Sequence, residues 1–221
     1  MANWDSADLL ARCQRLAQRP ATDEDMATAD WYAFLAEAQD EVIGMIATHH
    51  PAAVANTPTQ LTTSDGGLTY VFPSASTAAP LVIVELTNGQ GGTPVTFGGY
   101  GTDYGEFVWE GNTLRAARNS ARTFANGLWG RWVTVGGSLD GSTAPILPLQ
   151  YRPLLVPLAV SKYATRGGYR DPAPYEAEFQ RLWSGDPRRM GDFGLLGTLK
   201  RRQFQQTGTD GAVWWRGSAD F

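Results

Sequence analysis

Few residues of this chain combine the type and the spacing needed for chemistry. Its two histidines, His49 and His50, are adjacent and precede Pro51. Neighbours on a helix point roughly 100° apart, so the two rings cannot form the one-face pair of an i, i+4 metal site. Cationic rings complementing the macrodipole at a helix C-terminus are the simpler reading. Cys13 is the only cysteine, which leaves no intramolecular disulfide and no cysteine-based zinc site. It falls on an apolar helical stripe and reads as core rather than nucleophile. Gly98, Gly99, Gly101 and Gly105 form a glycine-rich stretch, but neither Lys-Ser/Thr nor a helix follows to hold a phosphate. No Gly-x-Ser-x-Gly elbow occurs. Asp103, Glu106 and Glu110 could supply a glycosidase-like pair of carboxylates, although solvated strand positions explain their spacing better. The expectation is a chain with no catalytic, cofactor or metal residues, and not an enzyme.

Two aromatic groups suggest binding instead. Tyr100, Tyr104, Trp109, Trp129 and Trp132 could line a groove that stacks on sugars. Stacking on bases would call for a basic groove, and residues 51–149 carry a net charge of −2. Trp109, Trp129 and Trp132 could equally fill the core of a small sandwich. The second group lies at the end of the chain. A polar, glycine-containing segment should be poor in aromatics, yet this one carries Val213, Trp214, Trp215, Arg216 and Phe221. Large aromatics there are candidate anchors for a partner's pocket; the alternative is a tail folded back on its own helices.

The elements that must position these groups change character twice. Residues 5–50 read as two helices. Asp5 is a candidate N-cap, and Leu9, Cys13, Leu16 and Ala17 form an apolar stripe, with Pro20 closing the helix. Trp31, Phe34, Leu35, Ala38, Val42, Met45 and Ile46 mark a longer second helix, closed by Pro51. From about residue 57 to 149, Gly, Thr, Ser and Pro become dense. Strand candidates are Thr69–Phe72, Leu81–Leu86, Val95–Phe97, Glu106–Trp109 and Arg131–Val135, with turn chemistry at Asp65-Gly66, Asn88-Gly89 and Gly111-Asn112. Leu114–Trp129 fits either a short helix or a strand. After Pro148 an amphipathic helix runs through Leu154, Leu155, Leu158 and Ala159. A second, capped by Asp171, carries Tyr175, Phe179, Leu182 and Trp183, and a weaker helical stretch spans about Leu195–Gln203. The predicted fold class is α+β. A four-helix bundle is built from both chain ends (1–56 and 150–206), with a small antiparallel β-domain (57–149) inserted and an extended C-terminal tail (207–221).

Composition sets the remaining bounds. With 18% charged residues the chain is an ordinary globular protein. It holds no run near the roughly 18 apolar residues of a membrane helix, so no membrane partner is expected. The lone cysteine fits a reducing compartment such as a cytoplasm. Net charge is −6 over residues 1–50 and +4 over residues 150–221, an asymmetry that hints at different partners for the two ends.

The order of turn and cap residues resembles that of the head-to-tail adaptor (connector) proteins of tailed bacteriophages, the podoviral ones in particular. The likeness begins with Trp4 and Leu9-Leu10, then the Asp30–Val42 helix with Ala38-Gln39, and Pro51. It continues through Leu61-Thr62-Thr63-Ser64-Asp65-Gly66 into the strand at Thr69–Phe72, then Glu110-Gly111-Asn112-Thr113-Leu114 and Leu147-Pro148. It ends with Tyr169-Arg170-Asp171-Pro172, Tyr175, Phe179 and Gly185-Asp186-Pro187. The stretch between Gly89 and Gly141 matches least. The resemblance implies a structural subunit of a ring of twelve copies in the virion neck, assembled in the host cytoplasm. Its partners would be itself, the portal protein and a tail or nozzle protein, with genomic DNA only passing through the lumen. The C-terminal segment would bind the portal. The alternative is a carbohydrate-binding β-module of a virion or secreted protein.

Overall fold

The computed structural model describes residues 4–19, 26–73, 79–98, 106–117, 122–167, 171–186, 189 and 194–207. Contacts divide the chain into a helical unit, residues 1–53 with 136–208, and a β unit formed by residues 54–135.

In the helical unit, α1 (Ser6–Leu16) opens on Asp5, whose carboxylate accepts the Asp8 N–H at 2.8 Å. Leu9, Cys13 and Ala17 are fully buried, whereas Leu16, expected on the same stripe, is 40% exposed. The helix ends before Pro20. Gln18 takes the left-handed conformation (φ 54°), its N–H bonds Arg15 O, and the Arg19 N–H bonds Gln14 O. This is a Schellman closure with glutamine in the position glycine usually fills. The next helix, α2 (Thr28–His49), buries Trp31, Phe34, Leu35, Ala38, Val42, Ile43 and Ile46, and Pro51 begins a 3-10 turn, Pro51–Ala53.

A second 3-10 stretch, Leu149–Leu154, leads into α3 (Leu155–Gly167). Then come α4 (Ala173–Ser184), where Asp171 accepts the Ala173 N–H at 3.0 Å, and α5 (Gly194–Thr207). The expected four-helix bundle is not what forms: the described residues contain five α-helices, and their packing is different. α3 packs against α1, α2 and α4, while α5 packs on α4 and α2. The reason lies in α3, whose apolar face is unusually wide. Leu155, Val156, Leu158, Ala159, Val160, Tyr163 and Ala164 are all buried, and a helix apolar over all but one edge belongs at a centre rather than at one corner. Charge pairs join its exposed edge to α2, Lys162 to Glu41 at 2.7 Å and Arg166 to Glu37 at 2.9 Å.

The β unit holds eight strands among the described residues, in two four-stranded sheets. They are β1 (Thr59–Gln60), β2 (Thr69–Val71), β3 (Val82–Asn88), β4 (Thr93–Pro94), β5 (Phe97–Gly98), β6 (Phe107–Glu110), β7 (Thr113–Ala116) and β8 (Leu128–Val133). One sheet has the order β1-β8-β3-β4 and the other β2-β7-β6-β5. The expected all-antiparallel domain is corrected here as well, because β5 runs parallel to β6. Gly111-Asn112 makes the two-residue loop between β6 and β7, with Glu110 opposite Thr113; Gly111 sits at φ 60°. Between β3 and β4, Asn88 pairs with Thr93 and a longer loop intervenes. Both sheets feed one core: Ile83, Leu86, Leu128 and Trp132 from the first, Tyr70, Phe107, Leu114 and Ala116 from the second. Ring contacts tie it together, Tyr70 edge-on to Phe107 at 5.5 Å and Phe72 to Trp132 at 4.9 Å.

Candidate functional site

Among the described residues, Cys13, His49 and Glu110 are held by structural contacts. Cys13 is enclosed, its Sγ lies 4.0 Å from Val156 O, and burial pushes its thiol up to about 12; a thiol so raised is no nucleophile at neutral pH. His49 ends α2 with its ring 6.2 Å from that of Trp183. Burial, and then the charge of Lys200, hold it below its ordinary value, which works against the cationic form at this helix end. The His50 N–H donates to Ile46 O. Glu110 is engaged by Arg115 at 2.7 Å. Glu106 precedes β6 and is half-buried; Gly98 is in β5. Asp103, Gly99, Gly101 and Gly105 lie outside the described residues. Among those described, no group of three His, Cys, Asp or Glu could hold a metal ion, and no helix is long and apolar enough to cross a membrane.

Of the aromatic groove's residues, the described ones do not share a face. Trp132 is in the core and Trp109 packs against it. Trp129 follows inward-facing Leu128 on β8, so strand alternation turns it to the opposite face. The indole N–H groups of Trp109 and Trp129 bond their own neighbourhoods, Gly111 O at 2.7 Å and Asn126 O at 3.0 Å. Tyr100 and Tyr104 lie outside the described residues. So do the proposed partner-binding residues Val213, Trp214, Trp215, Arg216 and Phe221.

The feature that sequence reasoning missed is the segment 136–148. It has no regular structure, and it belongs to the helical unit. Backbone outside helices and sheets needs other partners for its polar groups, and here helix side chains supply them. Asp40 accepts the Gly136 N–H at 2.7 Å. Gln39, wholly buried on the apolar face of α2, donates to Gly137 O at 3.5 Å and accepts the Ile146 N–H at 3.0 Å. The Ser6 hydroxyl donates to Thr143 O. Arg152 binds three carbonyls: Leu147 O at 2.8 Å, Pro145 O at 2.9 Å and, across the chain, Trp4 O at 3.1 Å. Within the segment, Asp140 gathers the hydroxyls and N–H groups of Thr143 and Ser142, which hold its carboxyl well below the usual carboxylate range. The segment buries Leu147 and displays Ile146; Leu149, which follows, is also outside. At 55% and 54%, these two are the most exposed large hydrophobics described. The one sequence signal of all this was a glutamine amid the apolar stripe of α2.

No protein-family model and no curated protein matches the chain.

Proposed function

We propose that this protein is a structural subunit of a tailed-bacteriophage neck, a ring-forming adaptor between portal and tail. The single observation that carries the reading beyond resemblance is the pinned segment 136–148. Five side chains hold irregular backbone in place beside two exposed aliphatics, Ile146 and Leu149. A preordered apolar display suits a subunit contact, because little conformational freedom is left to lose on docking. The structural employment of Cys13, His49 and Glu110 fits the same reading. In this proposal neighbouring copies meet through the helical unit, a tail or nozzle protein attaches to the ring, and DNA passes through the lumen. The C-terminal aromatics, Trp214, Trp215 and Phe221, anchor the subunit to the portal.

Removing residues 207–221 is expected to leave the far-ultraviolet spectrum unchanged and to abolish capture by immobilised portal. Normal capture of the truncated protein would remove the tail's role. Imaging of portal with and without the full chain tests the wider reading, which requires an added ring beneath the portal.

A further inference from the structure

We propose that Asn126 is a site of spontaneous covalent modification, deamidating through a cyclic imide formed with the backbone nitrogen of Gly127. The chain contains two Asn-Gly pairs, Asn88-Gly89 and Asn126-Gly127. In both, the following nitrogen is unshielded by any Cβ, so it can approach the side-chain carboxamide. The deprotonated nitrogen attacks Cγ, an N–Cγ bond forms, and the Cγ–Nδ2 bond breaks. Nδ2 leaves as ammonia, carrying the proton that the peptide nitrogen gave up. Water then opens the imide at either carbonyl, giving aspartate or isoaspartate. Water is taken up, ammonia is released, and nothing is oxidised or reduced.

The structure separates the two pairs. Asn88 is the last residue of β3, paired with Thr93 on one side and Leu128 on the other. Its carboxamide oxygen is buried, and the Gly89 N–H is tied to Gly127 O at 2.9 Å inside the fold. Reaction there must break a ladder and admit water. Asn126, by contrast, is exposed in the turn before β8, and the Gly127 N–H makes an i→i+3 turn bond to Phe124 O at 3.0 Å. Such turns open locally at far smaller cost than paired strands. The fold also keeps the labile pair in place. Gly127 sits at φ 73°, a conformation that L side chains rarely adopt, so the position wants glycine. The consequence falls on β8, which pairs with both β1 and β3. Isoaspartate inserts a methylene into the backbone just before it, and the Asn126 carbonyl is the one that Trp129 binds.

The test is to incubate the full-length protein at mildly alkaline pH and map both pairs by peptide mass spectrometry, following the mass rise of about 1 Da. In the folded protein, conversion at Asn126 is expected to run at least about tenfold faster than at Asn88, reflecting the difference in local opening. In denaturant the two rates should converge. Asn126→Gln should remove the fast site while leaving the folded spectrum and the slow conversion at Asn88 unchanged. Equal rates at the two sites in the folded protein would overturn the proposal. So would an intact Asn126 over a period in which the denatured chain converts fully.

Discussion

In the helical unit, side chains far apart in sequence hold backbone. Gln39 reaches Gly137 and Ile146, Asp40 reaches Gly136, and Arg152 reaches Trp4. In the β unit, many side-chain bonds stay within a few residues: Asp65 takes Thr63 and Thr69, Trp109 takes Gly111, and Arg115 takes Glu110. Strands satisfy one another's polar groups, so the β unit's side chains are free to fill a core or close a turn. Irregular backbone has no such neighbour, and each of its buried polar groups needs a dedicated partner. One unit is therefore sensitive at its core, and the other also at its clamps.

The largest effect should come from the shared β core. Phe107 is fully buried between Tyr70 and Phe124, and Phe107→Ala should cost about 3–5 kcal/mol. Chemical denaturation would measure it, and hydrogen exchange should show amides of residues 54–135 losing protection ahead of the helices. Simultaneous loss across both units would break the comparison. Next in size is Gln39→Leu, which keeps bulk but strands the Ile146 N–H and Gly137 O. A loss of about 2 kcal/mol is expected, the order of magnitude for buried groups left without partners. Faster exchange at the Ile146 amide with β-unit amides unchanged is the diagnostic pattern.

The smallest effect is one of pH. The folded pKa of His49 lies below the ordinary 6.5, so folding favours the neutral ring. Its contribution is fully present above the unfolded value and is lost as pH falls through the folded one. Residues 54–135 contain no histidine, so mild acid should loosen only the helical unit. A His49 resonance titrating at or above 6.5 would contradict this.

Much of the local structure was legible because local rules decide it. Asp5 caps α1, the stripe from Trp31 to Ile46 forms α2, and Gly111-Asn112 turns a hairpin. The failures are tertiary. Leu16 has the spacing of a core residue but lies at the frayed edge of its stripe, 40% exposed. In α3, the amphipathic stretch read from Leu154 to Tyr163 has its polar edge at Lys162, but the breadth of its buried face, which includes Val156 and Val160, was not foreseen. β7, Thr113–Ala116, is too short and mixed to read without its partners β2 and β6. The parallel register of β5 leaves no trace in a single strand's pattern. As for the candidate site, Gln39 was visible and the backbone it holds was not, since that backbone lies roughly a hundred residues away.

Asn56 ties the first residues of the inserted unit to its last strand. Its N–H donates to Trp132 O, its Oδ1 accepts the Trp132 N–H at 2.6 Å, and its carbonyl accepts Arg131 Nε at 3.3 Å. These bonds join the beginning of the β unit to its end. Residues 1–53 leave the ribosome long before 136–208, their partners in the helical unit. A chain that stayed open between them would have a long loop to close, with an entropic cost that grows with its length. Once the β unit has folded, Asn56 has already drawn the two exits together. Asn56 shares that closure with the β1–β8 pairing, Thr59 opposite Gly130 and Gln60 opposite Trp129, so the chain enters and leaves the inserted unit at neighbouring points.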